Sequence, residues 1–102
     1  MPVGTVLERN AVIKCIESLL KKYNAESAIL FGSYARGEAT PESDIDVIIF
    51  GGPGFKPSNI FALAEDLREI TNRDADVFEI RELNEGTDFY DAIMREGLKI
   101  AC

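Results

Sequence analysis

Apolar positions along the chain change period several times, and each change marks an element. Leu7, Val12, Ile16, Leu19 and Tyr23 fall at helical spacing, while Glu8, Arg9, Lys14, Glu17, Lys21 and Lys22 lie mostly elsewhere. The pattern predicts an amphipathic helix over 7–23. Thr5 with Glu8 three residues later predicts a capping box at its start. Cys15 falls beside the apolar stripe and reads as a small buried hydrophobe. "SAILF" (27–31) is a short apolar run stopped by Gly32, and "DIDVIIF" (44–50) is rich in β-branched residues; both predict strands. "GGPGFKP" after the second run is a loop. Ser58 is then expected to cap a helix reaching Thr71, with Ile60, Leu63, Ala64, Leu67 and Ile70 on one stripe. "ADVFEI" (75–80) predicts a third strand, "TDFYDAIMRE" (87–96) a short helix ended by Gly97, and "LKIA" (98–101) a final strand or tail.

This order predicts an α/β (α+β) fold: a small mixed β-sheet with helices packed on one face, in a single domain spanning 1–102. The chain has 102 residues and can bury one core. No apolar run approaches a membrane span, and the first ten residues lack a signal-peptide pattern. A cytoplasmic protein is therefore expected. Cys15 and Cys102 suggest no disulfide framework.

Charge and composition narrow the chemistry. A net charge of −7 weighs against broad binding to duplex nucleic acid, although a basic protein partner would be attracted. The chain contains no histidine. Ser-His-Asp and Cys-His catalysis are thereby excluded, as are zinc sites built on His and Cys. Carboxylates, hydroxyls, Lys/Arg and hard, oxygen-preferring metals remain.

The strand at 44–50 carries the unusual feature. Alternation puts Asp44, Asp46, Ile48 and Phe50 on one face and the core positions Ile45, Val47 and Ile49 on the other. Two aspartates at the head of a buried strand raise each other's pKa or need a cation between them, and magnesium completed by substrate phosphates is the economical choice. If the third strand pairs with this one, Asp76 reaches the same centre; Asp74, nearer the turn, is the alternative third ligand. Gly32 lets backbone approach a ligand closely, and the amides of "SYARG" after it favour an anion. Ser33 adds a hydroxyl donor and Arg36 a cation. Together they form a phosphate cradle facing the carboxylates.

Each part alone has an ordinary reading: a turn, solvated strand-end aspartates, and an exposed Arg36–Glu38 pair worth little. Rival motifs fail. Gly32 and Gly37 have the P-loop spacing, but Glu38 and Ala39 stand where Lys and Ser/Thr belong. Isoleucines at 48 and 49 exclude an EF-hand. "GGPG" (51–54) lacks the dinucleotide fingerprint.

Gly32-Ser33, ten residues, then Asp44-Ile45-Asp46 resembles the signature of the nucleotidyltransferase superfamily that includes DNA polymerase beta. The longer string "FGSYARGEATPESDIDVIIF", with Asp76 and the closing "REGLKI", resembles its minimal branch, the stand-alone MNT proteins. The resemblance implies the polymerase beta-like fold and transfer of a nucleoside monophosphate from a nucleoside triphosphate to a hydroxyl, using two Mg²⁺ ions. It implies that Asp44, Asp46 and Asp76 bind the metals, that Asp76 helps deprotonate the attacking hydroxyl, and that Gly32 and Ser33 hold the triphosphate. It further implies ATP as the substrate and an antitoxin role beside a HEPN toxin, whose tyrosine accepts AMP. Larger relatives carry an acceptor-binding domain; here the partner is expected to supply that surface. The alternatives are a non-enzymatic antitoxin that neutralises by contact, and a transferase for a small molecule.

Overall fold

The computed structural model describes residues 8–40, 42–82 and 86–101. Its elements, in chain order, are α1 (Arg9–Lys22), β1 (Ser27–Phe31), α2 (Ser33–Arg36), β2 (Ile45–Phe50), α3 (Asn59–Thr71), β3 (Ala75–Glu79), a 3₁₀ turn (Ile80–Glu82), α4 (Asp88–Glu96) and β4 (Leu98–Ala101). The four strands form one mixed sheet in the order β3-β2-β1-β4. β1 is antiparallel to both β2 and β4, and β2 is parallel to β3. The connections explain the difference: β1 and β2 are joined by a short excursion through α2, whereas β2 returns alongside β3 only after crossing through α3.

Strand alternation builds the core. Ala28 and Leu30 of β1, with Ile45, Val47 and Ile49 of β2, face one side. There they meet Val12, Ile16, Leu19 and Leu20 of α1 and Ile60, Leu63 and Leu67 of α3. Lys22 and Tyr23 at the end of α1 both reach Oδ2 of Asp66 on α3, at 2.7 and 2.5 Å, and tie the two helices together. The long helices α1 and α3 thus share one face, as expected, but the expectation that all helices pack there fails for α4. The short α4 covers the other face, where Ile93 packs with Ile29 and Ile48. That face turns apolar beyond Asp46, so it also needs a cover.

Several local expectations shift. Thr5, Leu7 and Cys102 lie outside the described residues, and Glu8, expected at the third helical position, is the N-cap and makes no side-chain capping bond. Ser58 stands at the N-cap of α3 but in helical backbone geometry, likewise without a capping bond. Ile70 is 58% exposed, and Thr71 is buried instead, its hydroxyl donating to the Leu67 carbonyl at 2.6 Å. At 100° per residue, position 71 falls about 30° from the middle of the Ile60–Leu67 stripe, whereas position 70 falls about 70° away, at its edge beside Leu63. β3 ends one residue early because the Glu79 carboxylate folds back, accepting from the Arg81 backbone N–H at 2.6 Å and Nε at 2.8 Å. Cys15 is a free thiol packed at the core's margin, and burial raises its pKa. Among the described residues, no helix is long and apolar enough to cross a membrane.

Gly97 fixes how closely α4 approaches the sheet. A Cβ there would collide with Ile29 Cγ2 and come within 2.7 Å of the Ile93 carbonyl. Its φ of −73° is ordinary, so the constraint is space rather than backbone conformation. Gly97→Ala is expected to destabilise the fold by about 1–3 kcal/mol through overpacking. Hydrogen exchange should show α4 amides losing more protection than those of α1; uniform loss would contradict this account.

Candidate active site

The candidate residues gather at one edge of the sheet, where β1 ends and β2 and β3 begin. In the register of the strands, Phe31 stands opposite Asp46, and Asp46 opposite Asp76. Parallel neighbours in register present their side chains on the same face, so the two carboxylates are direct neighbours. The Asp46 pKa is pushed up to about 6. Desolvation is the largest cause; the charges of Asp76 and Asp44 and a side-chain hydrogen bond with Asp76 raise it further, and Arg36 opposes them.

Gly32 closes the site from above. Its φ of 72° and ψ of −153° suit glycine alone, and a Cβ would collide with Oδ2 of Asp46. The turn therefore needs glycine both for its backbone and for the carboxylate pressed against it. Ser33 opens α2, a single helical turn closed by Gly37 in the left-handed region. Tyr34 anchors that turn: it is 1% exposed and sits in the α1–α3 core. Its hydroxyl has no hydrogen-bond partner among the described residues. Arg36 Nε pairs with Glu38 Oε1 at 2.9 Å, the exposed pair of the ordinary reading, yet Arg36 also acts electrostatically on Asp46.

Gly32, Ser33, Arg36 and Asp46 share a cavity of about 450 Å³ with residues of α4. Asp76, on the neighbouring edge strand, borders a smaller hollow of about 270 Å³ with Phe61, Arg68 and Phe78. Asp44 precedes β2 rather than lying within it, is exposed, and lines a third, polar cavity with Asp74, Arg68 and Arg73. The geometry thus brings Asp46 and Asp76 together and leaves Asp44 one step outward. Among the described residues, no three His, Cys, Asp or Glu side chains stand close enough to enclose an ion as arranged. The donor set nevertheless suits a hard cation, because the two neighbouring carboxylates supply only oxygens and their mutual repulsion is what a cation relieves.

The α4 wall of the cavity was not foreseen from sequence. Phe89, Ala92, Ile93 and Glu96 line it. They recur at i, i+3, i+4 and i+7, a periodicity that marks the inward face of the helix but says nothing of what it faces.

A model of the family described as Polymerase beta, Nucleotidyltransferase matches residues 14–102. The chain is 34% identical over 68 residues to a Methanocaldococcus jannaschii protein named "Putative protein adenylyltransferase MJ0435", a match covering 67% of this chain and 73% of that one. A solved structure described as "Structure of putative minimal nucleotidyltransferase" superposes with a TM-score of 0.72 at 23% identity, covering 93% of this chain and 98% of that one. A chain of the complex described as "tri-AMPylated Shewanella oneidensis HEPN toxin in complex with MNT antitoxin" gives a TM-score of 0.66 at 20% identity, covering 89% and 70%. At these identities the structural likeness establishes the shared fold.

The raised Asp46 pKa carries a stability consequence. An acid whose folded pKa lies above its unfolded value of about 3.9 holds its proton more tightly in the folded state. Its contribution is therefore most favourable at low pH and is lost as pH rises through about 6. In metal-free buffer with EDTA, Asp46→Asn should be more stable than the parent at pH 7.5, by about 1 kcal/mol after allowance for solvent screening. Urea melts across pH should show this difference closing toward pH 4. A constant difference would mean that ionisation of a buried Asp46 is not the source of the destabilisation.

Proposed function

From the chain's membership of the polymerase beta nucleotidyltransferase family, we infer that it is a metal-dependent adenylyltransferase that moves AMP from ATP to a hydroxyl. The acceptor is a tyrosine of a HEPN toxin partner, and the chain acts in the cytoplasm as that toxin's antitoxin. The observation that carries this reading is the alignment of Asp46 with Asp76 across β2 and β3, directly beneath the Gly32 turn. The names of its relatives support adenylyl transfer to protein, and a complex containing a tri-AMPylated HEPN toxin supports the acceptor.

The roles follow from position. Backbone amides after Gly32 and the Ser33 hydroxyl hold the triphosphate, with Arg36 as a mobile counter-charge. Asp46 and Asp76 would hold two magnesium ions together with Asp44, which stands exposed at the head of β2. Magnesium bound there would supply activation of the attacking oxygen and neutralisation of the leaving group. The acceptor enters from the α3–β3 side, where Asp76 borders the smaller hollow and Phe61 is 78% exposed. Its hydroxyl oxygen bonds to the α-phosphorus as the bond from that phosphorus to the bridging oxygen of pyrophosphate breaks. Asp76 takes the hydroxyl proton and pyrophosphate leaves. Positioning and charge neutralisation suffice for such a transfer, so the absence of histidine is no obstacle.

Asp76→Asn keeps the shape of the side chain and removes the charge. Incubated with the cognate partner, ATP and magnesium, the parent protein is expected to add one or more adenylyl masses, read by intact-mass spectrometry. The variant should bind the partner yet leave its mass unchanged. Equal protection of cells by both, with no mass added from any nucleoside triphosphate, would favour neutralisation by contact instead.

A further inference from the structure

The large cavity has two chemically different walls. The α2 wall presents the Gly32–Ser33 turn and Arg36, which the nucleotidyltransferase reading assigns to the triphosphate, with Asp46 beside them. The α4 wall presents Phe89, Ala92 and Ile93, with Glu96 as its charged group. Glu96 repels phosphates, and so do Asp88 and Asp91 in the first turn of this helix. On that reading, a ligand that fills the cavity is anionic toward α2 and flat or apolar toward α4.

Phe89 is the residue that needs explaining. It is 52% exposed, whereas Ile93, one turn on, is 4% exposed and anchors the helix. Phe89 meets the Phe31 ring edge-to-face, with centroids 5.9 Å apart and planes at 84°. Phe31 in turn contacts Phe78 at 6.4 Å. The Phe89 ring is thus held at its inner side by a chain of aromatic contacts while much of its surface stays uncovered. Ala92 leaves room beside it. The cavity, about 450 Å³, lies within the range of small-molecule sites.

We propose that Phe89 is the stacking platform for the base of the nucleoside triphosphate, with Ala92 forming the floor of the base slot. This rests on the nucleotidyltransferase reading and adds to it the residue that distinguishes a nucleotide from a bare polyphosphate. Stacking is tolerant of base identity, since every base offers a π-face. Phe89 therefore sets affinity for nucleotides as a class.

The test uses the full chain with magnesium, ATP and inorganic tripolyphosphate. Phe89→Ala should weaken ATP binding about tenfold by calorimetry, the scale of one lost base–aromatic stack, and leave tripolyphosphate affinity unchanged. The chain has no tryptophan, so Phe89→Trp supplies a lone indole. Its emission should be quenched by ATP and not by tripolyphosphate. Circular dichroism confirms that both variants fold. Should ATP bind the parent and Phe89→Ala equally, and leave the indole emission of Phe89→Trp unchanged, the platform is refuted while the nucleotidyltransferase reading stands. If the parent binds no nucleoside triphosphate, both are refuted.

Discussion

Two carboxylates facing each other across a parallel strand pair are the constraint around which this molecule is arranged. Asp46 and Asp76 sit at the start of β2 and β3, where the sheet edge meets solvent. A few residues further in, Val47, Ile48 and Ile49 of β2 are fully buried. The site thus borrows its rigidity from Val47, Ile48 and Ile49 while exposing its charges at one end. Gly32 follows from the same constraint: the carboxylate occupies the space where any other residue would place its Cβ. Left unneutralised, the pair opposes folding, so the apolar core must carry the stability that the site removes.

The sheet order explains why three separated parts of the sequence meet. Pairing β1 antiparallel to β2 brings the end of β1, and with it Gly32 and Ser33, to the head of β2. Pairing β3 parallel to β2 brings its head to the same place. With β3 reversed, its far end would lie there and Asp76 would be carried away from Asp46. The crossover through α3 is what permits the parallel arrangement, and the stripe of Ile60, Leu63 and Leu67 is what holds α3 against the sheet.

Much of this was legible in the residues. Period-2 alternation assigned both faces of β2 correctly, because Ile45, Val47 and Ile49 are unbroken by any polar group. The phase of α3 was misread at Ile70, where hydrophobicity favoured the wrong neighbour; Thr71 is tolerated in the core because its hydroxyl bonds the preceding turn. The predicted cap at Ser58 failed for a related reason: residue type marked the helix end, but Ser58 has helical backbone (φ −64°, ψ −20°), whereas a capping bond needs an extended N-cap. The Gly-Ser turn and the aspartates were legible as a spacing, yet that spacing could not say that Asp44 stands apart from the other two. Nor could it reveal the α4 wall, since the side of the sheet taken by a short helix depends on Gly97 packing against β1.

The carboxylate edge is approached from two sides with different character. On one side α2 and α4 enclose a cavity that sets the Gly32 turn and Arg36 against an aromatic wall. On the other, β3 is the edge strand, and beside it α3 leaves Phe61 largely uncovered. Asp46 borders the first space and Asp76 the second. A transfer reaction needs that division, because donor and acceptor must reach the reacting phosphorus from opposite directions, with charge neutralised between them. Under the proposed reading, neighbouring strands in register meet that requirement: one aspartate borders each space, and both are fixed by the same backbone ladder. On that reading, the acidic pair that is a liability for folding is also what would let one small sheet serve two ligands at once.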